Sequence, residues 1–317
     1  MDAGQYLVSR DDGVRVLPYN RVIGQSDLKL ALELNYIEPR IGGVLISGQR
    51  GTAKSTVVRA FSLMTRGELP VTLPINATDD RVLGGWELDA LMRGEARTQP
   101  GLLEEADDKG MLYIDEVNLL DDHIVNIILD VVSTGVLSVQ REAIDTVRNL
   151  SFGLVGTMNP EEGGLRPQLL DRFGLMVAVS ELDQESRRAM VLAVLRFDDG
   201  NDPSSPWMAE GRAADQALHG RLAAARDTVR GVRLSEDMVK LCADAATLLH
   251  AVGHRGELVT AWAARALAAF EGAAEVTPHH VRRVAPLSLR HRRPEAAHGG
   301  PVEWTEQDSE LLDGLLG

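Results

Sequence analysis

The sequence is poor in cysteine, and it lacks long apolar runs. Cys242 is the only cysteine among 317 residues, so the chain cannot form an internal disulfide or a cysteine-rich zinc site, which is typical of a reducing compartment. No apolar run approaches the roughly 20 residues that cross a bilayer. The first residues show no basic segment followed by an apolar one, the pattern of a secretory signal. We therefore expect a soluble cytoplasmic protein without a membrane partner.

An excess of basic residues is also missing. The chain has 33 Lys and Arg residues against 47 Asp and Glu, a formal net charge of −14. A protein that binds nucleic acid on its own needs a basic footprint that releases counterions from phosphate. Here only residues 289–294, LRHRRP, are clearly basic. This charge balance argues against a nucleic-acid partner.

Short apolar runs alternate with helical patterns in the first 200 residues. With 44% hydrophobic residues the chain can bury a substantial core, and its length suggests two domains. Runs that are apolar throughout predict strands buried on both faces, in a parallel sheet covered by helices. We predict an α/β domain over residues 1–200. Its strands are expected at residues 42–47, 71–75, 111–114, 150–157 and 175–180.

The composition changes at residues 198–206, DDGNDPSSP, which indicate a linker. The residues that follow are rich in alanine, and their patterns predict a helical domain over residues 206–293. Ser235 and Thr277 are predicted N-caps, and proline follows Thr277 at the first helical position. The remaining tail, residues 294–317, ends in a segment compatible with a short amphipathic helix. Helices are predicted at about 207–230, 235–251, 256–271 and 278–291.

Residues 48–55, GQRGTAKS, are similar to a phosphate-binding loop, in which glycine, four residues and a second glycine precede Lys and Ser or Thr. Ala53 stands where the second glycine is expected. Such a loop binds phosphate through backbone N–H groups and the positive end of the following helix. Ala53 offers the same N–H, provided that its φ stays negative and its methyl group points away from the phosphates. The apolar run before the loop and the helical pattern after it favour a nucleotide site over an ordinary glycine-rich turn.

The loop predicts ATP and Mg²⁺ as cofactors, with Lys54 on the β- and γ-phosphates and Ser55 on Mg²⁺. Two carboxylates, Asp115 and Glu116, directly follow the run 111–114, and the carboxyl ends of buried parallel strands face the ligand crevice. We predict that Asp115 binds Mg²⁺ and that Glu116 orients or deprotonates the attacking water, rather than a merely solvated pair. The predicted nucleotide-binding residues of the loop are Gly48, Gln49, Arg50, Gly51, Thr52, Ala53, Lys54, Ser55 and Thr56.

Further polar residues follow the third apolar run. Asn159 comes just after residues 150–157 and could hydrogen-bond the attacking water, although Asn-Pro is also a common turn start. Arg166 and Arg172 lie in residues 165–174, LRPQLLDRFG. An arginine that reaches the γ-phosphate on another subunit contributes a factor of roughly 10³ to 10⁵ in such enzymes. A surface charge is the alternative for each arginine.

Arg255 opens a predicted helix, RGELVTAWAARALAAF. A cation in the first turn of a helix opposes the helix dipole. Its position therefore points to an anionic partner, for which a phosphate is one candidate. Compensation by Glu257 is the alternative.

Together these motifs resemble the AAA+ ATPase subunit I of the magnesium chelatases and the related ATPases of cobaltochelatase-like proteins. The similar stretch runs from about Pro18 to Arg293, nearly the whole chain. The sequence GTAKS occurs in several branches of the clade that contains the chelatases, the MoxR-type ATPases and the MCM helicases, so Ala53 does not indicate an inactive site. The resemblance rests on residues 23–32, 39–56, 77–88, 100–123, 154–175 and 255–272.

The resemblance implies an AAA+ fold with a C-terminal helical lid, and a role for each motif. It implies a helix-2 insert at about 77–100 and a pre-sensor-1 hairpin at about 133–149, insertions that place the lid unusually in this family. The implied partners are further copies of this chain in a ring, expected to be a hexamer, an integrin-like (VWA) subunit and a large chelatase subunit. The implied residue roles are Lys54 and Ser55 in Walker A, Asp115 and Glu116 in Walker B, Asn159 at sensor 1, Arg172 as an arginine finger acting on the neighbouring subunit, Arg255 at sensor 2, and Val22 and Ile23 over the adenine.

Two functions stay open at this point. The first is the motor subunit of a magnesium- or cobalt-chelatase-like complex, which hydrolyses ATP to remodel an integrin-like partner. The second is a MoxR-type chaperone that matures another enzyme. A nucleic-acid motor is disfavoured by the charge, and a nucleotide-gated scaffold is disfavoured by the presence of Glu116, Asn159 and Arg172.

Several features are absent or depart from the photosynthetic subunits. The segment before residue 77 is short and the C-terminal tail has no counterpart, which argues against a client in chlorophyll biosynthesis. No Asp-x-Ser-x-Ser motif occurs, so the integrin-like domain is expected in a partner chain. His279 and His280 have no acidic ligand set nearby in the sequence and are predicted to be solvated. No metal is expected beyond nucleotide-bound Mg²⁺.

Overall fold

A computed structural model describes residues 15–49, 51–95, 97–141, 144–199, 205–294 and 303–316. The strands in these ranges are β1 (Val44–Ser47), β2 (Val71–Leu73), β3 (Gly85–Trp86), β4 (Thr98–Gln99), β5 (Met111–Ile114), β6 (Val136–Arg141), β7 (Ile144–Asn149), β8 (Gly153–Met158) and β9 (Leu175–Ala178). The α-helices are α1 (Ser26–Ile37), α2 (Lys54–Arg66), α3 (Asp79–Leu83), α4 (Leu88–Met92), α5 (Leu102–Lys109), α6 (Asp122–Thr134), α7 (Pro167–Leu170), α8 (Gln184–Asp199), α9 (Pro206–Thr228), α10 (Glu236–Leu248), α11 (Arg255–Phe270), α12 (Pro278–Leu289) and α13 (Glu306–Leu316).

Five strands form one parallel sheet in the order β2-β5-β8-β1-β9. In its centre, Val44 of β1 lies opposite Val155 of β8 on one side and Leu175 of β9 on the other. On the far side of β8, Leu154 pairs with Leu112 of β5. Each of the five predicted apolar runs overlaps one of these strands, so the predicted parallel sheet is confirmed.

Both faces of the sheet are buried, which explains why its strands are apolar at every position. In β1, Val44 and Ile46 pack into a core with α1, α2 and the helices of the C-terminal part, whereas Leu45 packs into a second core with α5 and α6. All three side chains are fully buried. Burying one such side chain stabilises the fold by about 1.5–3 kcal/mol. The predicted α/β fold class is therefore confirmed.

The lid helices α9 to α12 form where the sequence predicted helices. Ser235 caps α10, and its hydroxyl accepts a hydrogen bond from the N–H of Met238 at 3.3 Å. Thr277 begins α12 in a capping box with His280, whose Nδ1 accepts from the N–H of Thr277 at 2.9 Å. His280 is buried, and its Nε2 lies 3.2 Å from a carboxylate oxygen of Glu271. The prediction that His280 is solvated was therefore wrong, because this ring closes the first turn of the helix.

Two antiparallel ribbons lie in the segments that the resemblance singled out. Within residues 77–100, β3 pairs with β4, with Gly85 opposite Gln99. Within residues 133–149, β6 pairs antiparallel with β7, with Val136 opposite Asn149 and Arg141 opposite Ile144. Both ribbons lie outside the five-stranded sheet, so they add to the α/β domain without changing its strand order.

The C-terminal tail also carries a helix, α13, which packs against α10 and α12. Leu312 is buried in this contact together with Ala245 and Leu289. Asp308 accepts a hydrogen bond from Nη1 of Arg293 at 2.7 Å and so ties the start of α13 to the end of the lid. The predicted amphipathic helix is confirmed, and its apolar face is covered by the lid.

Two kinds of feature are absent from the described part of the chain. None of its helices has both the length and the apolar character that a bilayer crossing requires. No group of three or more His, Cys, Asp or Glu side chains is arranged to hold a metal ion in these same ranges.

Candidate active site

A cleft of about 540 Å³ lies at the carboxyl ends of β1, β8 and β5. These strands are adjacent in the sheet, so the loops that follow them meet at one edge. The volume suits a nucleotide, since small-molecule sites commonly measure about 300–1,000 Å³. The predicted residues that line the cleft are Val22, Ile23, Gly51, Thr52, Ala53, Lys54, Ser55, Thr56, Asp115, Glu116 and Asn159. Sequence reasoning did not identify Leu17, Arg21, Thr157, Met158, Met190, Ala193 and Val194, which also line it.

The start of the phosphate-binding loop requires glycine. A Cβ atom on Gly48 would lie 2.6 Å from the carbonyl oxygen of Val179, so no larger residue fits beside β9. The next residue, Gln49, donates a hydrogen bond from Nε2 to Oε1 of Glu161 at 3.1 Å. This bond ties the loop to the turn after β8. Arg50, also predicted to bind nucleotide, lies outside the described residues.

Ala53 occupies the left-handed region, with φ 61° and ψ 16°. The condition set on this residue, a negative φ, is therefore wrong. A residue with a Cβ in this conformation costs roughly 1–2 kcal/mol relative to the right-handed one. The loop nevertheless keeps the turn that a glycine would make, and α2 begins at Lys54 directly after it. The first N–H groups of α2 consequently point to the cleft, where a helix N-terminus favours phosphate.

The Lys54 ammonium group lies over the loop. Its Nζ donates hydrogen bonds to the carbonyl oxygens of Gly48 at 2.5 Å and Gln49 at 2.7 Å. Burial lowers the pKa of Lys54, while the charges of Asp115 and Glu116 act in the opposite direction. A cation placed between the loop and two carboxylates can bind phosphate oxygens.

Replacing Lys54 by alanine is expected to lower the affinity for ATP by about 10- to 100-fold, since a hydrogen bond to a charged group contributes roughly 1.5–3 kcal/mol. Titration with a fluorescent ATP analogue measures this change. Lys240→Ala is the matched control, because Lys240 lies exposed on α10, away from the cleft. An unchanged affinity in the Lys54 variant would remove this lysine from the site.

A chain of hydroxyl groups joins the two predicted Mg²⁺ ligands. The Ser55 hydroxyl lies 3.0 Å from the Tyr113 hydroxyl, which donates to Oδ1 of Asp115 at 3.0 Å. Thr157 donates to the same oxygen at 2.7 Å. Burial is the main cause that raises the pKa of Tyr113, so its phenol stays protonated and holds Asp115 in place.

This donor set fits Mg²⁺. The ion prefers hard oxygen ligands and is commonly held by one or two protein side chains together with substrate phosphates. The Ser55 hydroxyl and the Asp115 carboxylate meet this requirement, since both line the cleft beside the loop. The predicted pair is thus placed together, and Tyr113 is the residue that sequence reasoning missed.

Glu116 and Asn159 reach the cleft from the neighbouring strands β5 and β8. Glu116 has φ 56°, and its N–H donates to the Thr157 hydroxyl at 3.1 Å. Backbone strain of this kind, roughly 1–3 kcal/mol, clusters at active sites. Asn159 is 6% exposed and accepts from the N–H of Glu161 through Oδ1 at 3.3 Å. Its amide NH₂ is then the group that can donate to a water in the cleft.

Hydrogen bonds to a lid residue hold the segment that is predicted to cover the adenine. Asp215 on α9 is 7% exposed and accepts hydrogen bonds from the N–H groups of Tyr19 at 2.9 Å and Asn20 at 2.8 Å. These bonds hold a single 3-10 turn, Tyr19–Arg21, directly before Val22. No local sequence signal identifies Asp215, because it lies 196 residues away from Tyr19 along the chain.

Helix α8 forms a further wall of the cleft. Met190, Ala193 and Val194 line the cavity from this helix. Their side chains are apolar, as a purine ring requires of the surface that it contacts. No local signal marks α8 as part of the site, because its apolar positions are those of any amphipathic helix.

Two predicted residues, Arg172 and Arg255, lie outside the cleft and close to each other. Arg172 donates to Oδ1 of Asp130 at 2.8 Å and is 36% exposed. A Cβ atom on Gly42 would lie 2.9 Å from Nη2 of Arg255. Burial lowers the pKa of Arg255, with a further lowering by Arg172 and an opposite effect of Asp171. We call Arg172 and Arg255 the arginine patch.

Within the described residues, the buried Nε–H of Arg255 has no acceptor within hydrogen-bond distance. Arg166 forms a separate ion pair with Asp122 of α6, and its side chain is largely exposed. The structure therefore brings together two of the three predicted arginines, and it places them away from the nucleotide cleft of the same chain.

Comparison with known proteins agrees with this geometry. A family model described as "AAA domain (dynein-related subfamily)" matches residues 43–173, and one described as "AAA lid domain" matches residues 239–312. The chain is 41% identical over 309 residues to the magnesium-chelatase 38 kDa subunit of Cereibacter sphaeroides, which covers 87% of this chain and 91% of that protein. It is 39% identical over 303 residues to the magnesium-chelatase subunit ChlI of Olisthodiscus luteus, with 87% and 90% covered.

A crystal structure of a protein from Cytophaga hutchinsonii shares the fold, with a TM-score of 0.68 at 18% identity, over 94% of this chain and 91% of that one. The likeness to the chelatase subunits is far higher in sequence and spans most of their length. Together with the phosphate-binding loop and its carboxylates in one cleft, it identifies the chain. The protein belongs to the magnesium-chelatase subunit I family of AAA+ ATPases, and it is an ATPase.

Proposed function

We propose that this chain is the ATP-hydrolysing motor subunit of a magnesium- or cobalt-chelatase-like complex, which remodels a partner subunit to drive metal insertion. One observation carries the proposal. Lys54, Ser55, Asp115, Glu116 and Asn159 line a single cleft, in a chain whose relatives are magnesium-chelatase subunits.

The hydrolytic step follows from the positions of these side chains. Lys54 and the loop N–H groups bind the β- and γ-phosphates. Glu116 takes a proton from the water that attacks the γ-phosphorus, and Asn159 orients that water. The bond between the γ-phosphorus and the bridging oxygen breaks, and ADP and phosphate leave. Ser55 and Asp115 would hold Mg²⁺, which neutralises charge on the phosphates when bound.

The arginine patch completes the site of another subunit. Arg172 and Arg255 carry positive charge, yet they lie outside the cleft of their own chain. Arginine fingers in such enzymes act on nucleotide bound to a neighbour, and the partly exposed guanidinium of Arg172 can donate hydrogen bonds to phosphate oxygens. We therefore propose a ring, a hexamer, in which each patch faces the nucleotide cleft of the next copy.

The partners follow from the same assignment. The relatives are subunits of magnesium chelatases by name, and we propose that this chain acts with an integrin-like (VWA) subunit and a large chelatase subunit. The chain itself would drive metal insertion without binding the tetrapyrrole.

Affinity capture from the source organism tests this proposal. A tagged Glu116→Gln variant, supplied with ATP, is expected to stay in the ATP-bound state and to retain its partners. Tagged Lys54→Ala is the matched control, because it would not reach that state. Mass spectrometry then identifies proteins enriched with the first variant over the second.

Joint enrichment of an integrin-like subunit and a very large chelatase subunit would support the chelatase motor. Enrichment of an unrelated enzyme, with or without an integrin-like protein, would overturn it in favour of a MoxR-type chaperone. The two outcomes differ in the identity of the client, which the ATPase site does not determine.

A further inference from the structure

Three basic residues of the stretch 289–294 are buried at the end of the lid. Arg290 is 8% exposed, and His291 and Arg292 are 2% exposed each. They form a 3-10 turn, Arg290–Arg292, directly after α12. These charges face the protein interior, so the stretch is not a surface for nucleic acid, and its role must lie in internal contacts.

Arg292 forms hydrogen bonds with the loop that carries Arg172. Its Nε donates to Oδ1 of Asp171 at 3.0 Å, and its Nη2 donates to the carbonyl oxygens of Asp171 at 2.9 Å and Phe173 at 2.8 Å. Its Nη1 donates to the carbonyl oxygen of Gly174 at 3.0 Å. Four hydrogen bonds from one guanidinium thus reach residues on both sides of Arg172.

Further contacts hold Arg292 and this loop in place. Nε2 of His291 lies 3.0 Å from the carbonyl oxygen of Phe173, and Nη1 of Arg292 also contacts the carbonyl oxygen of Ser288 in α12. On the other side of the loop, a Cβ atom on Gly174 would collide with the carbonyl group of Ile41. The loop is therefore held between the ATPase core and the end of the lid.

The guanidinium stays charged despite its burial. Burial lowers the pKa of Arg292 to about 10, while the charge of Asp171 acts in the opposite direction. At neutral pH the group is therefore protonated, and its hydrogen bonds go to oxygens of the loop and of α12. A buried charge is tolerated only when it is paired and hydrogen-bonded, so Arg292 and the loop must adopt this arrangement together.

We propose that Arg292, assisted by His291, is the positioning residue for Arg172, through which the lid of one subunit sets the arginine that acts on the nucleotide of the next. This inference rests on the proposed function of Arg172. Arg255, at the start of α11, belongs to the same lid and lies beside the same loop. A shift of the lid therefore moves both members of the arginine patch relative to the neighbouring cleft.

The test compares Arg292→Lys with Arg290→Lys. Lysine keeps the charge but cannot reproduce the planar fork of four bonds to the loop. Arg290 is the matched control. It is buried in the same turn, but its Nε donates to the carbonyl oxygen of Pro286 in α12 and not to the loop of Arg172. Arg292→Lys is expected to lower kcat by about 10- to 100-fold, as displacement of a catalytic group by about 1 Å can do, with ATP affinity unchanged. Arg290→Lys is expected to keep kcat near wild type.

Mixed rings give a readout that loss of stability would not produce. Arg292→Lys subunits have an intact cleft, and Lys54→Ala subunits have an intact arginine patch, so mixing them should restore activity. Mixing Arg292→Lys with Arg172→Ala should restore none, because neither supplies a well-placed finger. Restoration with Arg172→Ala instead would place the defect in the cleft of the Arg292 variant and would overturn the inference, as would a normal kcat.

Two further measurements keep the result interpretable. Asp171→Asn weakens the same ion pair from the loop side, and it is expected to lower kcat in the same direction even if Arg292→Lys folds poorly. Thermal unfolding of all variants separates stability from catalysis. If Arg172→Ala itself leaves kcat unchanged, the proposed function of the patch fails. If only the Arg292 and Asp171 variants leave kcat unchanged, the positioning role alone fails.

Discussion

Glu116→Gln is expected to bind ATP normally and to lower kcat by roughly 10²- to 10⁴-fold, the range that general acid–base catalysis contributes. Glutamine has nearly the same shape as glutamate but cannot accept the proton of the attacking water. The N–H of residue 116 keeps its bond to the Thr157 hydroxyl in this variant, so the left-handed turn after β5 is preserved. Steady-state phosphate release gives kcat, and equilibrium binding of a fluorescent ATP analogue gives the affinity.

A matched control is Glu236→Gln, since Glu236 is exposed in the first turn of α10 and does not line the cleft. It is expected to hydrolyse ATP at the wild-type rate. If Glu116→Gln also hydrolyses at that rate, another group activates the water, and the role assigned to Glu116 is wrong. If the variant loses ATP binding as well, Glu116 contributes to the structure of the cleft.

Arg172→Ala is expected to keep its affinity for ATP and to lower kcat by at least roughly 10²-fold. Arginine fingers contribute roughly 10³ to 10⁵ in kcat, so this expected loss is a lower bound. The ion pair of Arg172 with Asp130 is partly exposed, and such pairs contribute about 0–1 kcal/mol to stability. The variant should therefore fold normally. Arg282→Ala is the control for loss of a surface arginine, because it breaks an exposed ion pair between Arg282 of α12 and Asp313 of α13.

Mixing two inactive variants tests whether Arg172 acts on its own subunit or on a neighbouring one. Lys54→Ala and Arg172→Ala subunits are each expected to be inactive alone. In mixed rings an Arg172→Ala subunit keeps its cleft and receives an intact finger from a Lys54→Ala neighbour, so activity should return. If no mixing ratio restores activity while both variants assemble, Arg172 does not act on a neighbouring subunit.

The lid contacts both halves of the proposed catalytic interface. At one end, Asp215 on α9 holds the turn before Val22, which lines the cleft. At the other end, Arg292 holds the loop around Arg172. A single helical unit thus contacts a segment that lines the cleft of its own chain and the loop that carries Arg172. In the ring that we propose, the lid would therefore connect successive nucleotide sites.

Local patterns in the sequence determined the sheet and most of the cleft. The run 42–47 is apolar at every position because β1 is buried on both faces, and that pattern is readable without the fold. Lys54 follows the first of these runs after the loop, and Asp115 and Asn159 come within two residues of the ends of two others. Since the carboxyl ends of adjacent parallel strands meet at one edge, their proximity follows from strand order and motif alone.

Tertiary packing decided what the sequence did not. Ala53 has a positive φ because the loop imposes the turn, whatever side chain stands there. The stretch 289–294 looks like a basic surface patch in sequence, but Arg292 within it is buried against a loop more than 100 residues earlier. The same holds for Arg255, whose place beside Arg172 depends on how the lid docks.

The sequence by itself therefore determined the α/β core, the phosphate-binding loop and the carboxylates that follow β5, because each depends on neighbours along the chain or on strand pairing. Only the tertiary structure decided that the arginine patch does not line the cleft of its own chain, that Asp215 holds the turn before Val22, and that Arg292 binds the loop that carries Arg172. These contacts join residues distant in sequence, and their energy comes from pairing buried charges and backbone groups that no local pattern brings together.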